Sequence, residues 1–386
     1  MLTHPSRRTV ITHLGLAGAA LPLMRIPAWA LPQSWLTANE TVIPFTDVPE
    51  NFTTRRGDVA SRIDLRELRT AITPNDAYFV VQHYNRPAIE AAAFKLDMRG
   101  LMGKPRTLTL DDIRRRPRVE RTTTFECGGN QARGSFHGMV GNATWAGTPL
   151  QDLLKEAAPA GHAREVVFWG ADAGKETLRG ADYEMHFARS LALEDAMNAG
   201  AILAYEMNGQ PLPVEHGFPL RVVVPGWYGV NNVKWVTGIE LIDTRFAGRF
   251  MGRDYVTIMG RQVGDTVEYT ETSVARQRIK SVVARVTRTP QGRMRVFGAA
   301  WSDGTPLKSV EVRLDQGNWQ PAQLEPSSNP FAWTFFSLET AMLASGAHTV
   351  VSRATDRDGR EQPASLELKK TFWEDNAQFT RAIAVA

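Results

Sequence analysis

Between residues 279 and 354 the chain is written in short runs that alternate apolar and polar side chains, a pattern that restricts this stretch to strands with one face buried. The runs 279–287, 293–300, 309–314, 333–337 and 348–354 are separated by Gly, Pro, Asn and Asp turns such as Asp303-Gly304 and Asp358-Gly359. Strands of that length and spacing predict an immunoglobulin-like β-sandwich over residues 263–386. The region carries almost no catalytic residue types, so it reads as an interaction or assembly domain.

A chain of 386 residues is too long for one core. Upstream of the sandwich the texture differs. Residues 94–98 alternate with period two and are punctuated by Gly100, Gly103 and Pro105. Asp111 and Asp112 open a short helix that stops near Pro117. Residues 150–158 predict a second helix with Leu150, Leu153 and Leu154 on one face, and 166–169 and 220–225 predict buried strands. Strands and short helices interleave irregularly, which predicts an α+β domain over residues 31–262 rather than a wound parallel sheet. Its first part, 31–75, reads as an extended lead-in with scattered prolines.

Residues 1–30 have the layout of an export signal. Arg7-Arg8 precedes an apolar run from Leu14 to Leu23 that is short for a membrane span, and Ala28-Trp29-Ala30 supplies a small-x-small cleavage site. The paired arginines indicate the twin-arginine route and hence the periplasm, with an ordinary export leader as the alternative. No later stretch is apolar enough to span a bilayer. The leader holds Arg7, Arg8 and Arg25 without an acid, which leaves 42 bases against 41 acids in the remainder. That near-neutral balance argues against nucleic acid as a partner.

The chain has one cysteine, Cys127. In an oxidising compartment a lone thiol is either buried and inert or occupied by a metal. Its neighbours favour the metal. A strand-like run ending at Glu126 leads straight into Cys127-Gly128-Gly129-Asn130, and two glycines after a strand allow a sharp turn and close approach to a bulky ligand. A thiolate placed there suits a soft metal centre.

Glu126-Cys127-Gly128-Gly129-Asn130 resembles the Cys-x-Gly-Asn loop of the sulfite oxidase family. So do Gly141-Asn142-Ala143-x-Trp145-x-Gly147, the run from Leu203 to Gly209, and the segment from His216-Gly217-Phe218-Pro219 through Arg221 and Gly226 to Val233-Lys234-Trp235. The resemblance runs from about residue 75 to the C-terminus. It implies a molybdopterin domain followed by a β-sandwich that forms a homodimer, with Cys127 as the protein's ligand to molybdenum. It further implies that His83, Asp172, His216, Arg221, Lys234 and the Asn231-Asn232 turn contact the cofactor. Tyr255 matches the family's active-site tyrosine, and Trp145 resembles a tryptophan that walls the substrate pocket. Arg133 is the candidate substrate arginine, because the family's arginine two residues before His83 is here Val81. The implied reaction is oxygen-atom transfer to a small sulfur oxyanion such as sulfite. No Cys-x-x-Cys-His site and no second cysteine accompany Cys127, so the electrons require a separate acceptor, a c-type cytochrome. Val81 motivates the alternatives: another sulfur or oxide substrate, including a reductase. A cofactor-free binding protein of the cell envelope is the non-enzymatic alternative.

Overall fold

In a computed structural model, residues 39–49, 52–56, 60–131 and 136–386 are described. The export signal and Arg133 lie outside them. No helix among the described residues is long and apolar enough to cross a membrane.

The N-terminal half is built on two sheets. One has the order Ala181–Ala192, Glu165–Leu178, Val236–Ile242, Lys95–Gly100, Arg106–Thr109, with Val236–Ile242 and Lys95–Gly100 running parallel. The other carries Val119–Glu126, Val140–Pro149 and Ile202–Met207 side by side, and Arg221–Val223 pairs with the last. Short helices fill the gaps. Leu110–Arg114 begins with a capping box in which Thr109 and Asp112 satisfy each other's backbone N–H groups. Leu150–Ala157 turns Leu150, Leu153 and Leu154 into the core, as their spacing predicts. Phe168, Leu203, Val222, Ile239 and Leu241 pack between the elements with essentially no exposure. Each such side chain contributes about 1.5 to 3 kcal/mol by leaving water.

The C-terminal half is the expected sandwich. Lys280–Arg288, Met294–Trp301 and Thr334–Thr340 form one sheet, and Leu307–Leu314, Gly346–Asp356 and Arg381–Val385 form the other. Val283, Val296, Val312, Phe336 and Ile383 fill the space between them. Lys280–Arg288 is buried along eight of its nine residues. Its second face packs elsewhere: Val282 and Ala284 join Trp301 and Trp333 against Val140 of the N-terminal half. A strand covered on both faces has no reason to alternate.

Two features depart from the sequence reading. Residues 41–43, grouped above with the α+β domain, pair antiparallel with the far end of Lys280–Arg288 as an edge of the sandwich, with Ile43 in its core. An antiparallel hairpin, Val256–Val263 with Thr266–Ser273, spans the proposed domain boundary. Its exposed threonines and glutamates give no apolar face to read.

Candidate functional site

The strand Val119–Glu126 ends at a cavity that faces solvent in part, and Arg221 enters it from the start of the strand Arg221–Val223. Residues far apart in sequence converge on its wall: His83, Cys127, Asp172, His216, Arg221, Asn232, Lys234 and Tyr255.

Cys127 follows the strand Val119–Glu126 directly. Its N–H donates to Met139 O at 2.9 Å, and its carbonyl accepts from Asn130 N at 2.9 Å, which closes the turn. Burial pushes the free thiol up to about 11. Only a bound cation would hold it as thiolate at neutral pH. Among the described residues no group of three His, Cys, Asp or Glu side chains is placed to hold a bare ion. A metal at Cys127 must therefore bring its other ligands with it, as one carried by a dithiolene does.

The wall is largely apolar, with Phe79, Val81, Phe187 and Val233 among its residues, and carries a few buried polar groups that are incompletely paired. Asp172 Oδ1 has no hydrogen-bond partner, and burial raises the carboxyl to about 6 against the pull of Lys234. Lys234 Nζ donates to Val81 O at 3.0 Å and Glu215 O at 2.9 Å, which leaves its third proton for a ligand. Burial, with Arg221 nearby, lowers this ammonium to about 7. His216 shares a 3.0 Å hydrogen bond between Nε2 and Asn75 O, and burial brings it down to about 3, so its ring is neutral. His83 is likewise lowered to about 3, first by burial and then by Lys234. Its Nε2 is hydrogen-bonded to the Tyr255 hydroxyl at 2.7 Å. Tyr255 itself has a left-handed backbone, φ 58°, a conformation that costs a non-glycine residue energy. Burial holds its phenol well above the ordinary range.

The structure changes the picture at Trp145, Arg221, the Asn231-Asn232 turn and the paired glycines. Trp145 does not wall the cavity: it has no exposure, stacks on Phe125 at 5.2 Å and lies under the Arg221 guanidinium at 4.5 Å. Its apolar surface is worth more inside than at a wet wall. Arg221 reaches the cavity, but its fork is already engaged. One terminal nitrogen donates to His216 O at 2.9 Å and the other to Asn232 O at 3.0 Å, and Nε alone is unpaired. The Asn232 side chain is saturated by Val224 N at 2.7 Å and Tyr228 O at 3.0 Å, and it shapes the turn instead of offering donors. Asn231 holds the buried Arg189. The paired glycines make room for protein side chains: a Cβ on Gly128 would meet Val274 at 3.0 Å, and one on Gly129 would meet Trp373 at 3.2 Å.

A cavity with an unpaired carboxylate oxygen on Asp172, an unpaired guanidinium Nε on Arg221 and an ammonium with one proton left over beside a lone thiol fits a ligand with donors, acceptors and negative charge, which is the chemistry of molybdopterin.

Comparison with known proteins agrees. Residues 83–250 match the family described as Oxidoreductase molybdopterin binding domain, and residues 267–382 match the Mo-co oxidoreductase dimerisation domain. Sulfite oxidase of Gallus gallus is 32% identical over 320 residues, covering 76% of this chain and 69% of that protein. Mitochondrial sulfite oxidase of Drosophila melanogaster is 31% identical over 329 residues, and this chain spans only 56% of its length. The sulfane dehydrogenase SoxCD of Paracoccus pantotrophus shares the fold, with a TM-score of 0.73 over the whole of both chains at 24% identity. The matched families, the identity to sulfite oxidase and the cavity at Cys127 together make this chain a member of the sulfite oxidase family of molybdenum oxidoreductases.

Proposed function

We propose that this protein is a periplasmic molybdopterin-dependent sulfite dehydrogenase that oxidises sulfite to sulfate and passes electrons to a separate c-type cytochrome. The observation that carries the reading is the convergence of Cys127, His83, Tyr255 and the Asp172–Lys234 wall on one cavity. Molybdenum, when bound, supplies two-electron oxygen-atom transfer. The chain supplies the rest. Cys127 ligates the metal. Lys234, Asp172 and Arg221 Nε receive the pterin and its phosphate, and His216 stays neutral so that no further charge is buried there. The neutral His83 ring fixes the direction of the Tyr255 hydroxyl through their 2.7 Å hydrogen bond. With the His83 tautomer that carries its proton on Nε2, the ring donates to the phenol oxygen and the phenol's own proton is free to donate to an anion in the cavity.

One cysteine leaves no place for an iron–sulfur cluster or a c-type haem in this chain, which supports an external acceptor. The Arg7-Arg8 leader supports export, and the match to a dimerisation domain supports a homodimer.

A second reading, oxidation of a different sulfur compound, is favoured by Val81. It lines the cavity where a guanidinium would assist a dianion, and its carbonyl is tied to Lys234. The likeness in fold to a sulfane dehydrogenase is compatible with it. Steady-state assays of molybdenum-replete protein with cytochrome c decide between them. Turnover of sulfite supports the first reading, and turnover of other reduced sulfur compounds without sulfite supports the second.

A further inference from the structure

The turn that carries Cys127 is gripped from the other domain. Glu126, the residue before the cysteine, is a buried carboxylate that accepts from Lys280 Nζ at 2.7 Å, Asn130 Nδ2 at 3.0 Å and Trp301 Nε1 at 2.9 Å. Lys280, at the start of the sandwich strand Lys280–Arg288, has no exposure. Its ammonium also donates to Asn130 O at 3.1 Å and Asp375 O at 2.6 Å, so all three of its protons have acceptors. On the other flank Glu374 N donates to Gly128 O at 2.7 Å. Two carbonyls of the four-residue turn are thus held by donors from the C-terminal half. Glu374 has φ 55°, a left-handed backbone like that of Tyr255.

We propose that Lys280 is a positioning residue for Cys127, and that the sandwich domain is part of the metal site as well as an assembly surface. The inference rests on Cys127 being the metal ligand. A buried ion pair is a poor device for stability alone, since matched apolar residues usually serve as well or better. What an apolar pair cannot do is cross-link three fixed oxygens. The Lys280 ammonium ties together the residue before the cysteine, the end of its turn, and the segment whose Trp373 stacks on Tyr255 at 4.1 Å. The sulfur is then set relative to the Tyr255 phenol by one rigid unit.

The test uses the full chain, produced with and without molybdate. Lys280→Met alone leaves the Glu126 charge buried and risks misfolding, so it is paired with Glu126→Gln, which removes the charge and keeps an acceptor oxygen for one of Trp301 and Asn130. Val312→Ala, in the sandwich core away from the turn, serves as a control for general loss of stability. In the metal-free double variant, alkylation of Cys127 by iodoacetamide should accelerate by about tenfold or more, the change expected when a loop opens with one or two fewer hydrogen bonds. In the control it should stay within about twofold of wild type, as expected for a distant site. In molybdenum-loaded protein the Mo(V) electron paramagnetic resonance signal of the double variant should shift, and that of the control should not. An unchanged alkylation rate in the double variant, or an equal rise in the control, overturns the proposal. Wild-type protein without molybdenum would instead refute the metal reading, while the alkylation comparison would still decide whether Lys280 holds the turn.

Discussion

Asp172→Asn should make the metal-free protein more stable at neutral pH while impairing retention of the cofactor. The carboxyl is raised to about 6 in the folded chain, chiefly by burial, against roughly 3.9 when unfolded. Below about pH 4 both states are protonated and the group contributes nothing. As pH rises from about 4 to about 6, the unfolded chain ionises first and stability is lost; above about 6 the loss is complete. The difference of about two pKa units, at 1.36 kcal/mol each, amounts to about 3 kcal/mol. Asn has the same shape without the charge, so denaturant unfolding of the metal-free variant should show a gain of about 2 to 3 kcal/mol at neutral pH and none near pH 4. Loaded protein should lose cofactor about tenfold or more readily, because a charged acceptor for the pterin's N–H groups has gone. A stability difference that does not change with pH, or a variant weaker than wild type at neutral pH, would refute the assignment of Asp172 as a carboxylate kept strained for a ligand.

Cys127→Ser should fold with near wild-type stability and contain little molybdenum by elemental analysis; full retention of the metal would contradict its role as ligand. Tyr255→Phe should reduce kcat by about a hundredfold or more with molybdenum content unchanged, the scale reported for losing one aimed donor, and the check is a comparison of kcat with metal content. Trp145→Phe should cost about 1 to 3 kcal/mol in denaturant unfolding and leave KM unaltered, because the ring packs against Phe125 and Arg221 beneath the cavity. A raised KM with unchanged stability would return it to the substrate wall.

Much of this protein is decided locally and can be read from the chain. A sandwich strand such as Leu307–Leu314 announces itself because it buries one face, and the capping box from Thr109 to Asp112 spans four residues. The turn at Cys127 is visible because a lone cysteine followed by two glycines is a poor design for an ordinary core. The clustering of His83, Asp172, His216 and Lys234 was implied by resemblance, and the cavity places them together. Other features depend on partners that no local pattern names. Residues 41–43 pair with a strand some 240 positions on, across the whole α+β domain. Trp145 and a cavity-wall tryptophan look identical in sequence, and only the stacking on Phe125 separates them. Gly128 and Gly129 owe their identity to Val274 and Trp373, both contributed from later in the chain. Glu126 and Lys280 sit 154 residues apart, and charge alone predicts solvent for both. Composition and spacing determine which elements form and which residue types are available for chemistry. The desolvated contacts that orient them arise only when distant segments meet, because the free energy of such a contact depends on everything else that excludes water from it.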